Sequence, residues 1–212
     1  MTLMTKKIVL ATGNAGKVRE IQAVLTAYDM KVQPQSLFNV PEAVEDGLTF
    51  VENALIKARH ASKLTGLPAI ADDSGIEVDF LNGQPGIYSS RYAGKNGDNA
   101  ANNKKLLTAL KDVKASLRTA RFQCVIVYLR HELDPTPLIC QGTWEGNITE
   151  TAAGTLGFGY DPLFFVAEQN CTAAELPAEL KNRISHRGQA LKKFVTAFSG
   201  QNPTQNISDE YK

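Results

Sequence analysis

Short runs of β-branched and other apolar residues, separated by segments of helical periodicity, are the feature that most constrains how this chain can fold. The first run covers residues 7–11 and ends in a loop at Gly13. Apolar residues then recur at helical spacing, at Val18, Ile21, Val24 and Leu25. The N-terminal part therefore predicts a strand, a loop and a helix.

A second helix is marked at both of its ends. Thr49 and Glu52 have the spacing of a capping box, in which the two side chains bond to amides at the helix start. Gly66 and Pro68 are residues that end helices. A short strand over residues 69–71 is predicted directly after them.

Further elements follow in the same mixed order. Alternating apolar residues predict a strand over 76–80 that enters a turn at Asn82 and Gly83. The remaining predicted elements are a helix over 99–111, strands over 121–130, 138–144 and 163–166, and a helical segment over 173–198 that is broken near 185–188. Because strands and helices mix without strict alternation, we expect an α/β fold with a mixed sheet.

Length and charge limit the organisation and the classes of partner. A chain of 212 residues fits one large domain, which we expect over residues 1–199, followed by a polar, disordered tail over 200–212. Lys plus Arg number 23 against 22 for Asp plus Glu, so the net charge of +1 creates no broad field for nucleic acid or a membrane surface. An anionic ligand must therefore be bound by local groups.

The sequence also indicates a cytoplasmic protein. The longest strictly apolar run, over 124–129, is far shorter than the roughly 18 residues of a membrane span. The N-terminus lacks the apolar segment of a signal peptide, whether the start is Met1 or Met4. The three cysteines are odd in number and scattered, which predicts neither a disulfide framework nor a zinc site.

The loop over 12–17, between the first predicted strand and helix, is a candidate anion site. Free N–H groups at a helix start favour an anion, Gly13 and Gly16 allow a close approach, and Lys17 adds a positive charge. The loop is not a Walker A motif, because Val18 stands where the Ser or Thr that binds Mg²⁺ would be. An ordinary strand-to-helix connection is an equally good reading of this segment alone.

Asp72 and Asp73 follow the strand predicted over 69–71 and form a candidate metal site. Unpaired carboxylates would be costly to bury there, and carboxylates at a strand end suit Mg²⁺, which takes one or two protein oxygens besides water and phosphate. A solvated acidic turn is the alternative. Glu45 and Asp46 are further possible oxygen ligands, although exposed acids just before a helix are common.

Three glycines surround aromatic residues in the segment 154–162. A loop of this kind can wrap a planar base, with Phe158 or Tyr160 stacking on it and backbone groups reading its edge. A plain turn is the alternative.

Four donor side chains crowd into the segment 181–188. A break in the helical pattern at Ser185 would place His186 and Arg187 at the start of a new helix, where they could point at a ligand. A basic surface turn is the alternative.

In this order, these segments together resemble the inosine/xanthosine triphosphate pyrophosphatase family, which removes deaminated purine triphosphates. The resemblance covers residues 6 to about 198 and is carried by Lys7-Ile-Val-Leu-Ala-Thr-Gly-Asn-Ala-Gly-Lys17, Gly47-Leu-Thr-Phe-Val-Glu-Asn-Ala54, Ala71-Asp-Asp-Ser-Gly75, Gly83-Gln-Pro-Gly-Ile-Tyr-Ser-Ser-Arg-Tyr92, Gly157-Phe-Gly-Tyr-Asp-Pro162 and Ile184-Ser-His-Arg-Gly188. It implies a Mg²⁺-dependent homodimer with an elongated α/β fold, in which a mixed central sheet is flanked by helices and two lobes enclose a substrate cleft.

The resemblance also implies roles for individual residues. Asp73 would be the proton acceptor and a Mg²⁺ ligand, with Glu45 as a second ligand, and Ser74 would contact the substrate. The triphosphate would be bound by Thr12, Gly13, Asn14, Ala15, Gly16 and Lys17. The nucleotide, chiefly its base, would be held by Phe158, Gly159, Tyr160, Asp161, Lys181, His186 and Arg187.

These roles suggest a mechanism. We expect Asp73 to orient or deprotonate a water that attacks the α-phosphorus and expels pyrophosphate, while Mg²⁺, Lys17 and Lys57 neutralise phosphate charge. A 6-keto purine presents an acceptor where adenine presents a donor, so adenine would leave a donor from Arg187 or the backbone unpaired. Guanine must be excluded by contacts around C2, which the sequence does not locate.

Two rival functions remain open at this point. An Asp72 or Asp73 nucleophile could form an aspartyl-phosphate, although the spacing lacks an Asp-x-Asp pair. A nucleotide-binding regulator without turnover would need no metal-held base, so the set of Asp73, Glu45 and Lys17 argues against it.

Overall fold

The computed structural model describes residues 7–201. It consists of a seven-stranded open sheet with helices on both faces. The strands are β1 (Ile8–Leu10), β2 (Val32–Pro34), β3 (Ala69–Val78), β4 (Thr119–Leu129), β5 (Leu138–Ile148), β6 (Phe164–Val166) and β7 (Cys171–Thr172). The helices are α1 (Ala15–Thr26), α2 (Phe50–Thr65), α3 (Asn99–Ala109), α4 (Ala178–Ile184) and α5 (His186–Gln201).

The sheet is mixed, as the sequence predicts. Its strand order is β2-β1-β3-β4-β5-β6-β7. β1 runs parallel to β2 and to β3, and every other neighbouring pair is antiparallel. The α/β fold class is therefore confirmed. The division into two lobes stays a prediction, and most of the predicted tail, like both candidate start residues Met1 and Met4, lies outside the described residues.

Helix boundaries follow the local signals in the sequence. The Thr49 side chain accepts the Glu52 amide at the start of α2, and Gly66 ends that helix in the left-handed region at φ 65°. Ser185 has extended backbone and separates α4 from α5, and its hydroxyl accepts the Gly188 amide at 3.2 Å. The predicted break near 185–188 is thus confirmed, and it places His186 at the start of α5.

The strand prediction around the two aspartates was wrong in one respect. The segments predicted as separate strands over 69–71 and 76–80 form the single strand β3, and Asp72 and Asp73 lie in its middle. The ladder with β4 continues unbroken past both acids because buried cations neutralise them, so their charge does not end the strand. Phe80 lies beyond the strand and is 51% exposed. The short strands β2 and β7 were not predicted, because they are not apolar runs, unlike the similarly short β1 and β6.

The two faces of the sheet carry different cores. Leu10, Ile70 and Ile126 face α1 and α5, where Leu191 and Phe194 are fully buried. The alternate strand residues, such as Val9, Ala71 and Val127, face three buried alanines of α2: Ala54, Ala58 and Ala61. Small side chains on α2 allow that helix to lie close to β3 and β4. Within residues 7–201, no helix is both long and apolar enough to cross a membrane.

The unequal lengths of β1 and β3 open a gap at the edge of β3. β1 ends at Leu10, opposite Ile70, whereas β3 continues to Val78. Beyond this point the strand edge has other neighbours, since the Ile76 amide donates to the Ser89 hydroxyl at 2.9 Å. The gap between these contacts is where the middle of β3 faces a cleft.

We predict that Gly142→Ala destabilises the fold by moving α5. A Cβ atom at Gly142 on β5 would lie 2.1 Å from the His186 carbonyl oxygen and 2.7 Å from the Ala190 nitrogen. Overpacking of this kind costs about 1–3 kcal/mol, measurable by urea unfolding. Gly200→Ala, near the other end of α5, meets nothing within 4 Å and should leave stability unchanged or raise it by up to about 1 kcal/mol. An equal loss in both variants would contradict the close approach.

Candidate active site

A cleft of about 360 Å³ lies over the middle of β3 and collects nearly all of the predicted site residues. The predicted residues that line it are Thr12, Gly13, Asn14, Lys17, Glu45, Lys57, Asp73, Ser74, Phe158, Gly159, Tyr160, Asp161, Lys181, His186 and Arg187. Another surface groove of about 390 Å³ lies around Tyr88 and Arg91, and none of the predicted site residues lines it. The first cleft is therefore the candidate active site.

Four predicted residues do not line the cleft: Ala15, Gly16, and the candidate metal ligands Asp46 and Asp72. Ala15 is the exposed first residue of α1. Gly16 is buried against the ring of Phe158, and a Cβ atom there would lie 2.7 Å from that ring. The absence of a side chain at Gly16 thus lets residues 154–162, which we call the aromatic loop, pack closely against α1. Gly16 itself does not line the cleft.

The loop before α1 is built around Asn14. Its side-chain oxygen accepts the amides of Gly16 at 2.9 Å and Lys17 at 3.1 Å, so it is the N-cap of the helix. The backbone N–H of Asn14 donates to the Thr12 hydroxyl at 3.2 Å. Three of the backbone N–H groups expected to be free for an anion, those of Asn14, Gly16 and Lys17, are therefore used inside the loop. Thr12, Gly13, Asn14 and Lys17 line the cleft wall.

Asp72 and Asp73 point to opposite faces of the sheet because successive strand residues alternate. Asp72 is fully buried on the side of α1 and α5. Its Oδ2 lies 3.1 Å from the Lys17 Nζ and 3.1 Å from the Arg187 Nη2. Burial would raise the pKa of Asp72, but Lys17 and Arg187 outweigh it and hold the pKa well below its usual range.

Arg187 extends the contacts of Asp72 into a longer chain of ion pairs. It also donates to the Glu20 carboxylate and, at 2.8 Å, to the Ser74 hydroxyl. Glu20 accepts in turn from Lys181 at 2.8 Å, and Lys181 donates to Asp161. We call this set the buried ion chain; in order, its members are Lys17, Asp72, Arg187, Glu20, Lys181 and Asp161. It ties α1, β3, α4, α5 and the aromatic loop together.

Asp73 occupies the other side of β3, facing α2. Its Oδ1 accepts from the Lys57 Nζ at 2.6 Å, and the same nitrogen lies 3.5 Å from the Glu45 Oε1. Burial raises the pKa of Asp73, although Lys57 and Lys17 oppose this effect. For Lys57, burial would lower the pKa, but Asp73, Asp72 and Glu45 outweigh it and raise the pKa. Lys57 therefore stays charged between the two acids that line the cleft.

The second oxygen of Asp73 is the best candidate for a metal ligand. Asp73 Oδ2 is buried and has no hydrogen-bond partner within residues 7–201. Those residues contain no group of three or more His, Cys, Asp and Glu side chains that could hold a metal by itself. Asp73 with Glu45 instead offers a pair of carboxylates in the same cleft as Lys17. That donor set fits Mg²⁺, which keeps several waters and shares phosphate oxygens.

The other half of the cleft is aromatic. The Phe158 ring lies 5.1 Å from the Lys181 Nζ and 5.8 Å from the Arg187 guanidinium carbon. The Phe158 amide donates to Asp161 at 2.8 Å, and the Tyr160 hydroxyl donates to the Ser89 carbonyl at 2.8 Å. Both ends of this short loop are thus fixed, and the ring of Phe158 is held near two cations.

His186 is neutral and carries an unpaired ring nitrogen. Its ring stacks on Phe122 with 4.7 Å between centroids and an interplanar angle of 11°. Burial, together with the nearby Arg187 and Lys181, lowers the pKa of His186 well below its usual value. Its Nδ1 is buried and has no partner in the part of the chain that the structure describes. The neutral ring can therefore form a hydrogen bond with a ligand through Nδ1.

Several residues of the site were not predicted from the sequence. Glu20, a member of the buried ion chain, lies three positions after Lys17 on the same face of α1, and this spacing was the available signal for it. Phe122, Ser89 and Glu42 line the cleft, but no local pattern marks them, because they reach it only through the packing of distant segments.

The sequence matches a known family over nearly all of the described residues. A sequence model of the Ham1 family matches residues 8–197. The dITP/XTP pyrophosphatase of Thioalkalivibrio sulfidiphilus is 61% identical over 195 residues, which cover 92% of this chain and 100% of that protein. The dITP/XTP pyrophosphatase of Vibrio cholerae is 58% identical over 196 residues, which cover 92% of this chain and 98% of that protein.

Solved structures show the same fold. A HAM1 protein from Coxiella burnetii superposes with a TM-score of 0.84 at 52% identity, covering 92% of this chain and 99% of the other. The Ham1 protein of Staphylococcus aureus gives a TM-score of 0.80 at 39% identity, covering 92% of this chain and 100% of the other. The likeness therefore extends over most of this chain and nearly all of both solved structures.

We predict that Asp72→Asn destabilises the protein by about 3–5 kcal/mol at neutral pH, because Arg187 and Lys17 would lose a buried counter-charge. The lowered pKa of Asp72 means that its contribution is present above the pKa of an unfolded Asp, about 3.9, and is lost as the pH falls further. The difference from wild type, measured by urea unfolding, should therefore shrink below about pH 4.

The matched control removes a carboxylate from an exposed ion pair. Glu145 pairs with Arg121 and its side chain is 66% exposed, so Glu145→Gln should change stability by no more than about 1 kcal/mol. A pH-independent difference for Asp72→Asn, or a loss no larger than that of the control, would contradict the role of the buried ion chain.

Proposed function

The chain belongs to the Ham1 family, and we propose that it is a pyrophosphatase that splits dITP, XTP and ITP into the nucleoside monophosphate and pyrophosphate. The observation that carries this proposal is the unpaired, buried Asp73 Oδ2 in a cleft that also holds the Lys17 loop and the Phe158 loop. The identity to two dITP/XTP pyrophosphatases over 92% of the chain supports it.

Asp73 is the proposed proton acceptor. Its pKa is raised by burial, which moves the carboxylate toward the range in which a base works near neutral pH. The bond from Lys57 to Oδ1 fixes the carboxylate and leaves Oδ2 without a partner in the described residues. We propose that Asp73 takes a proton from the water that attacks the α-phosphorus, with pyrophosphate as the leaving group.

Asp73 and Glu45 are the proposed ligands of Mg²⁺. When bound there, the ion supplies positive charge to the phosphate oxygens. The protein adds its own charges: Lys57 stands between the two carboxylates, and Lys17 faces the cleft from the first turn of α1. Because phosphoryl-type transfer depends mainly on positioning and charge neutralisation, these groups account for the chemical needs of the reaction.

The aromatic half of the cleft is proposed to bind the base. Phe158 offers a ring face for stacking, and the unpaired Nδ1 of His186 offers a hydrogen bond. Most Arg187 donors are already used by Asp72, Glu20 and Ser74, so selectivity rests on the cationic surroundings as much as on one free N–H. A 6-keto oxygen can accept a hydrogen bond from a donor there, whereas the amino group of adenine is itself a donor and would face that donor unpaired.

Two finer proposals follow from the resemblance and the cysteines. We propose a homodimer on the basis of the family resemblance. We propose the cytoplasm as the compartment because Cys124, Cys140 and Cys171 are all free thiols in the described structure, which suits a reducing environment.

The substrate class is tested with a panel of triphosphates. With Mg²⁺ present, purified protein should release pyrophosphate from dITP, XTP and ITP, and the ratio of their kcat/KM to that of ATP should reach roughly 10⁴–10⁵, the scale of discrimination by unpaired polar groups. Products are identified by chromatography. Release of orthophosphate in place of pyrophosphate would indicate a phosphatase, and binding without turnover would indicate a regulator; either result overturns the proposal.

The role of the base is tested by Asp73→Asn, which should lower kcat by about 10²–10⁴-fold, the usual contribution of a general base. Asp79→Asn is the matched control, because Asp79 follows the same strand and bonds Arg121 on the exposed side. It should keep wild-type turnover. Near-normal kcat in Asp73→Asn, measured by pyrophosphate release with saturating dITP, would remove Asp73 from the mechanism.

A further inference from the structure

Asn53 is a fully buried polar residue that the proposed reaction does not use. It lies in α2, one helical turn before Lys57, and its side chain is 0% exposed. Its Oδ1 accepts the amide of Gly47 at 3.0 Å. Asn53 therefore connects α2 to the loop that precedes the helix.

The same loop is held at a second point. The Leu48 amide donates to the Glu52 carboxylate at 2.8 Å, and the Thr49 hydroxyl donates to the same oxygen at 2.9 Å. The contact is close enough to require glycine: a Cβ atom at Gly47 would lie 2.7 Å from the Asn53 Oδ1 and 2.7 Å from the Glu52 Cβ. We call the Gly47–Asn53 contact the loop clamp.

The loop clamp sits two residues from Glu45. The flanking side chains of this loop do not fix it, because Val44 and Leu48 are each 80% exposed. Glu45 nevertheless lies 3.5 Å from the Lys57 Nζ, the atom that bonds Asp73. Since apolar packing of the loop is absent at these two neighbours, its bonds to α2, together with the ion pair between Glu45 and Lys57, hold the Glu45 carboxylate in place.

Only the oxygen of the buried Asn53 side-chain amide has a hydrogen-bond partner in the described residues. Its Nδ2 is buried and has no hydrogen-bond partner among residues 7–201. A buried donor without a partner destabilises a protein, and a leucine of similar size would avoid that penalty. The side-chain oxygen therefore has a role that an apolar residue could not fill, which is to accept the hydrogen bond from the Gly47 amide.

We propose that Asn53 and Gly47 are positioning residues, which set the Glu45 carboxylate relative to Asp73 and thereby the affinity of the site for Mg²⁺. This inference rests on the proposed function, in which Asp73 and Glu45 hold the ion. Neither Asn53 nor Gly47 lines the cleft, so both would act through the loop.

The test breaks the loop clamp from each side. Gly47→Ala inserts a methyl group into the contact, and Asn53→Leu removes the acceptor at nearly constant size. Both variants should raise the Mg²⁺ concentration for half-maximal dITP hydrolysis by roughly 10–100-fold, the range for groups that orient metal ligands. Binding of Mn²⁺ to substrate-free protein, followed by electron paramagnetic resonance, should weaken in parallel, while kcat at saturating Mg²⁺ stays close to wild type.

Two further variants make the result specific. Asn53→Gln keeps a neutral amide oxygen that can accept from the Gly47 amide, and it should bring Mn²⁺ binding back toward the wild-type value. Val44→Ser changes an exposed side chain beside Glu45 without touching the loop clamp and should behave as wild type. If Asn53→Leu does not fold, Gly47→Ala carries the test, because it alters only the loop side of the contact.

The outcomes separate the inference from the proposed function. Wild-type half-saturation and Mn²⁺ binding in Gly47→Ala, with a metal-dependent wild-type enzyme, would overturn the positioning role alone. A fall in kcat with unchanged metal affinity would overturn it as well. A wild-type protein that hydrolyses dITP without any divalent ion would overturn the metal assignment of the proposed function itself.

Discussion

The buried ion chain is the interaction on which the rest of the site depends. It joins residues as far apart in sequence as Glu20 and Arg187, and it has three cations and three carboxylates in alternation. Removing ions from water is costly, and only close pairing offsets that cost. Each member therefore requires its neighbours, so α1, β3, α4, α5 and the aromatic loop must come together for any of these charges to be buried. The cleft is the space that this assembly leaves beside the edge of β3.

The geometry of β3 lets one short segment serve two environments. The early end of β1 exposes the strand edge, and the alternation of side chains sends Asp72 to one face and Asp73 to the other. On one face, Lys17 and Arg187 contact the Asp72 carboxylate directly. On the other face, Lys57 donates to one oxygen of Asp73, and the second oxygen of Asp73 has no partner in the described residues. A single-residue slip of the strand register would exchange these roles, so the long ladder with β4 that fixes the register also fixes the chemistry.

Local signals in the sequence predicted the helix boundaries, whereas the continuity of β3 and the ion pairs depend on distant residues. The cap at Thr49, the stop at Gly66 and the break at Ser185 are each read from a few neighbouring residues, and each is where the structure has it. The continuity of β3 could not be read in this way, because Asp72 is neutralised by Arg187, 115 positions away. The motifs named many of the residues that line the cleft, but not their pairing, since no motif states which cation meets which carboxylate.

The opposite pKa shifts of the two neighbouring aspartates show what the fold contributes beyond the motif. Burial alone would raise the pKa of both. Direct contact with Lys17 and Arg187 reverses this for Asp72, which becomes a permanent structural anion. Asp73 has less compensation, because Lys57 is shared with Glu45, and burial prevails. The structure therefore uses one acid to hold the cleft together and leaves its neighbour with a raised pKa and one oxygen without a partner in the described residues, the two properties on which its proposed role rests.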